Sequence, residues 1–141
     1  MNTNTRYGVY YYSKSGNTKK LASKIADTVG CTAKTVNEKV TEHIDVLFLG
    51  ASVYWAGIDP NVKKFIHSLD ASKVGKVVVF STSALTERAK PEIQKLLKQR
   101  GIAVAEKDYY CRGEFTLLHK GKPDEKDLSD AAVFAKMMME E

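Results

Sequence analysis

Three hydroxyl side chains crowd into "SKSGNT", residues 13 to 18, directly after the apolar run "YGVYYY" at residues 7 to 12. Ser13, Ser15 and Thr18 offer O–H donors, Asn17 adds an amide, and Gly16 lets the backbone bend without a side-chain clash. Uncharged donors of this kind suit an oxyanion, above all a phosphate ester, where a helix begins: its first turn carries free N–H groups and the positive end of the dipole. The spacing is neither that of the triphosphate loop G-x-x-x-x-G-K-[ST] nor that of the dinucleotide loop G-x-G-x-x-G. The G-x-S-x-G elbow of acyl transfer is missing, and His43, His67 and His119 have no evident Asp partner at a strand end. Spacing alone fits a phosphate loop and a serine-rich helix cap equally well.

The elements around this segment decide where it sits. Residues 7 to 12, 45 to 50 ("DVLFLG") and 76 to 82 ("KVVVFST") are short, nearly continuous apolar runs, as expected of central strands covered on both faces. Residues 32 to 36 and 102 to 111 mix apolar and polar types and read as strands nearer an edge. Leu21, Ala22, Ile25, Ala26 and Val29 recur on one helix face, and Gly30 supplies a stop. Val62, Phe65, Ile66 and Leu69 repeat the pattern after Pro60, and Ile93, Leu96 and Leu97 after Pro91. A last helix carries Leu128, Ala131, Ala132, Ala135 and Met138, while residues 37 to 43 form either a short helix or a turn. The alternation predicts one α/β domain over residues 1–141, a doubly wound parallel sheet with helices on both faces. In such sheets ligands bind at the carboxyl ends of the strands, which places function just after residues 12, 50 and 82.

Composition narrows the class. With 141 residues, 43% hydrophobic and 28% charged, the chain fits one ordinary globular domain. No apolar run approaches the roughly 20 residues of a membrane helix, and "MNTNTR" has no export-signal pattern, so the expectation is a cytoplasmic protein away from membranes. Cys31 and Cys111 form neither a metal pair nor a C-x-x-C, which favours free thiols and no metal. The net charge of +5 comes from lysines spread over all the helices, without a basic block interleaved with aromatics. Nucleic acid is therefore not an expected partner, although a diffuse basic field could attract an acidic one.

The segment S-K-S-G-N-T after a strand resembles the [ST]-x-[ST]-G-x-T phosphate loop of the flavodoxins, and two further stretches match that family in order. "LGASVYWAGIDPNVKKFI" at 49 to 66 resembles its second flavin loop and following helix, and "KVVVFSTSAL" at 76 to 85 its fourth strand and third loop. "GKPDEKDLSDAAVFAK" at 121 to 136 is similar to the last helix of small bacterial members, so the likeness covers nearly the whole chain. It implies a five-stranded flavodoxin-like sheet of order 2-1-3-4-5, and Cys31 and Cys111 on opposite edges.

The resemblance also implies bound FMN, with Ser13, Lys14, Ser15, Gly16, Asn17 and Thr18 around its phosphate. Lys14 departs from the neutral donors usual in the family, and either adds attraction for the dianion or points into water. Ser52, Val53, Tyr54, Trp55, Ala56 and Gly57 would flank the ring on one side, Tyr54 being the better stacking candidate. Ser81, Thr82, Ser83, Ala84 and Leu85 would line the other. The Ala56–Gly57 peptide would reorient on flavin protonation, and few acids near the third loop imply a less negative semiquinone/hydroquinone potential. No catalytic residue is implied. The expected role is a monomeric redox carrier cycling FMN between quinone, semiquinone and hydroquinone, serving a reductase and an acceptor enzyme. Alternatives are an FMN-dependent quinone or protoporphyrinogen oxidoreductase, and a cofactor-free interaction domain on the same fold. Cys111-Arg112-Gly113 resembles a segment of small relatives without an assignable role.

Overall fold

Valine-rich and aromatic runs that cannot expose either face to water must stack side by side, and they do. The computed structural model describes residues 5–13, 16–54, 57–83, 89–112, 121 and 123–140, with backbone alone for residues 53, 54, 57, 83 and 112. Strands β1 (Tyr7–Tyr11), β2 (Ala33–Thr35), β3 (Ile44–Tyr54), β5 (Val74–Ser83) and β6 (Tyr109–Arg112) pair in parallel in the order β2-β1-β3-β5-β6. Counting these principal strands alone, the order is 2-1-3-4-5, as the family resemblance implied. The two-residue β4 (Gly57–Ile58) returns antiparallel against the end of β3, with partners Val53↔Ile58 and Tyr54↔Gly57.

Alternation along the strands divides the core into two layers. Leu47, Leu49, Val77 and Val79 pack against α2 (Pro60–Ser68) and α3 (Lys90–Gln99) through Phe65, Ile66, Ile93 and Leu97. Val9, Phe48, Val78 and Phe80 pack against α1 (Asn17–Val29) and α4 (Glu125–Met139) through Leu21, Ile25, Phe134 and Met138. Each such aliphatic or aromatic side chain contributes about 1.5–3 kcal/mol when fully buried. The helix faces read from the sequence are those turned to the core, although Leu96, Leu128 and Ala132 are only half-buried and Phe134 is an addition to α4. Its start is fixed by a capping box in which Asp124 and Asp127 bond each other's backbone amides.

Two expectations change, and one open alternative is decided. β3 runs on to Tyr54, past the expected end at Gly50, because Ala51 and Ser52 stay in register with Ser81 and Thr82 of β5. Residues 37 to 43 contain no helix; Glu38 N–H donates to the Thr35 carbonyl in a turn that tucks Val36 and Val40 into the core. The expected strand over residues 102 to 111 is interrupted. Val104 makes one bridge to Val77, but the next pair is Phe80↔Tyr109, so the edge chain takes five steps against three in β5 and loops out two residues.

Cys31 precedes β2 and Cys111 lies in β6, so the two free thiols occupy opposite edges. Burial, the dominant effect, raises the Cys31 thiol pKa against the opposing pull of Lys34. His67 is exposed on α2, and His43 pairs with Asp45 at 2.9 Å on the surface. No helix among the described residues is long and apolar enough to cross a membrane.

Candidate functional site

The carboxyl ends of β1, β3 and β5 meet the first turn of α1, and two glycines make that junction possible. Gly16, the N-cap of α1, has φ 89°, a left-handed conformation that costs a side-chain-bearing residue roughly 1–2 kcal/mol. Gly50 of β3 lies so close under the helix that a Cβ there would come within 2.3 Å of the Phe80 ring and 3.0 Å of Thr18 Cγ2. Absence of a side chain at residue 50 lets α1 settle onto the sheet. Ser13 Oγ accepts from Gly16 N–H at 2.9 Å, closing the turn while its own proton remains available.

That close approach brings together three hydroxyls from three distant parts of the chain. Thr18 Oγ1 lies 2.6 Å from Ser52 Oγ and 2.9 Å from Thr82 Oγ1, and the latter two are 3.2 Å apart. All three side chains are buried, Thr18 completely. Ser52 and Thr82 are register partners on adjacent strands, so both project from the same sheet face toward α1. Three hydroxyls hold three protons and make three mutual contacts. A closed ring uses every proton; opening the longest contact, Ser52–Thr82, releases one for an outside acceptor. The first turn of α1 contains no acid, so an approaching anion meets dipole and donors without a carboxylate to oppose it.

On the opposite face Ser81 sits in register with Ala51 and is wholly buried, and its Oγ has no hydrogen-bond partner among the described residues. A buried hydroxyl left unpaired is rare and marks a place where a partner belongs.

Of the residues singled out from the sequence, the structure brings together Thr18, Ser52 and Thr82, with Ser13, Gly16 and Asn17 at the same corner and Ser81 beneath it. Val53, Tyr54, Gly57 and Ser83 lie at the ends of β3, β4 and β5, as their backbones show. Lys14, Ser15, Trp55, Ala56, Ala84 and Leu85 lie outside the described residues. Two contributors were missed. Gly50 stood only as the end of the run 45 to 50, and Glu92, whose carboxylate accepts from Ile58 N–H at 3.1 Å, carried no signal in the sequence.

The family model for the flavodoxin domain matches residues 8–116. The chain belongs to the flavodoxin domain family. Its fold is similar to that of a flavodoxin from the domain Archaea, at 19% identity and TM-score 0.77, covering 96% of this chain and 97% of that one. It is also similar to oxidised Flavodoxin 2 from Bacillus cereus, at 20% identity and TM-score 0.70, covering 96% and 99%. Rubredoxin oxygen:oxidoreductase from Desulfovibrio gigas matches at 15% identity and TM-score 0.70, covering 93% of this chain but 34% of the larger one. No curated protein sequence matches the flavodoxin-like chain.

Proposed function

We propose that this flavodoxin-family chain is a noncovalent FMN-binding redox carrier. The observation that supports it above all is the buried, uncharged hydroxyl trio of Thr18, Ser52 and Thr82 under the positive end of α1. A trio able to release one proton outward suits a phosphate dianion better than it suits a substrate that must be protonated or attacked. The glycine-made approach and the acid-free first turn both fit a flavin phosphate ester. Ser13, Gly16, Asn17 and Thr18 would hold the phosphate, and the ends of β3, β4 and β5, through Tyr54, Gly57 and Ser83, would bracket the ring. When bound, FMN supplies the one- and two-electron chemistry; the chain binds it, orients it and sets the local field.

The described layer of α2 and α3, residues 59–70 and 89–100, carries Lys63, Lys64, Lys90, Lys95, Lys98 and Arg100 against Asp59, Asp70 and Glu92. A surplus of cations on helices whose N-termini lie at the site end favours an acidic redox partner, steered in a salt-dependent manner.

Calorimetric titration of the flavin-free chain with FMN and with riboflavin tests the reading. FMN binds and produces a bound-flavin absorption spectrum, while riboflavin, lacking the phosphate, binds at least tenfold more weakly, as loss of about 1.4 kcal/mol would give. Equal affinity for the two, or no uptake of FMN, refutes it.

A further inference from the structure

We infer that Glu92 is a positioning residue that fixes β4 against the end of β3 and so sets one wall of the flavin site. β4 is two residues long, lies off the main sheet path and pairs with β3 alone. A strand of that length has little stability of its own, and the outward amide of an edge residue has no ladder partner. Glu92 supplies one. From the first turn of α3 its Oε1 accepts from Ile58 N–H at 3.1 Å, while Oε2 faces Lys63 Nζ of α2 at 3.3 Å. One carboxylate thus ties together β4, α2 and α3. The Ile58 side chain is buried in the same core layer as Val62 and Ile93, so backbone and side chain are pinned from the same direction.

The two links differ in weight. Lys63 and Glu92 are both substantially exposed, and such ion pairs are screened and contribute little. The bond to Ile58 is charge-assisted and gives that edge amide its hydrogen bond, beside the packing of the Ile58 side chain. α3 also follows the third loop in the chain, so the residue that holds the second wall is carried by the helix that ends the third. The consequence for ligand affinity rests on the flavin reading; the tether itself does not.

Amide hydrogen exchange of the flavin-free full chain, followed by NMR, tests the tether. Glu92→Ala accelerates exchange at Ile58 about tenfold, while Leu47 and Val78 in the central strands keep their rates. Glu92→Gln, whose amide oxygen still accepts, stays within about threefold of the parent, and Lys63→Ala leaves Ile58 unchanged. An unaltered Ile58 rate in Glu92→Ala, or Glu92→Gln behaving like Glu92→Ala, overturns the assignment. FMN titration then reads the consequence: affinity falls about tenfold in Glu92→Ala and is restored in Glu92→Gln. Faster Ile58 exchange with unchanged FMN affinity overturns the positioning role. If the parent takes up no FMN, the proposed function fails while the exchange data still decide whether Glu92 holds β4.

Discussion

Replacing Ser81 with alanine should stabilise the flavin-free protein, contrary to the usual sign for a core substitution. Ser81 Oγ is wholly buried and has no hydrogen-bond partner among the described residues. Leaving a hydroxyl in that condition costs about 1–3 kcal/mol. Deleting one oxygen opens roughly 20 Å³, which at about 24 cal/mol per Å³ returns only ~0.5 kcal/mol of penalty. The balance is a gain of about 1 kcal/mol, and urea unfolding should show the midpoint rising by roughly 0.5 M with the slope unchanged. If this hydroxyl is held for the proposed flavin, saturating FMN shrinks or reverses the advantage, since an acceptor on the ligand would contribute a bond of about 1 kcal/mol. A Ser81→Ala variant destabilised by 0.5 kcal/mol or more without flavin (~0.5 being the scatter of neutral substitutions) would show that Oγ is already bonded and that it is not held for a ligand.

Thr18→Val keeps the shape of the side chain but leaves only the Ser52–Thr82 contact of the trio. Its FMN affinity should fall about tenfold or more with riboflavin affinity unchanged, by parallel calorimetric titrations. Gly50→Ala forces a methyl group against Phe80 and Thr18, which should cost about 1–3 kcal/mol in chemical unfolding and weaken FMN as α1 is lifted. At acid pH the weak point is Asp45, whose carboxyl is held below its ordinary pKa first by the bond from Arg6 N–H and then by His43. Because the folded-state value is depressed, its stabilising effect is present above about pH 4 and fades as pH falls below. Asp45→Asn should therefore flatten the dependence of the urea midpoint on pH in that range.

Much of this architecture was legible because burial on two faces writes itself as apolar runs, and the face of α1 as a 3.6-residue recurrence from Leu21 to Val29. The hydroxyl-rich corner at the start of α1 stood out as well, since Gly16 and its hydroxyl neighbours are contiguous. What was hidden is pairing at a distance. Nothing local says that Thr18 meets Ser52 and Thr82, 34 and 64 residues away; that follows from strand register and from the close approach of α1 that Gly50 permits. Glu92 was hidden for the same reason, its partner Ile58 lying 34 residues earlier. The interrupted edge strand misled because Ile102 to Ala105 does run beside β5, and only the changed offset at Tyr109 reveals the extra residues.

That changed offset gives the molecule a practical seam. Glu106 and Lys107 are exposed and belong to neither the bridge at Val104 nor the ladder that begins at Tyr109. A reporter peptide or an anchoring thiol grafted between them would hang from the outer rail of the sheet, leaving the inner strands and the hydroxyl corner in place. Immobilised there, the protein would present a uniform orientation to a partner in solution.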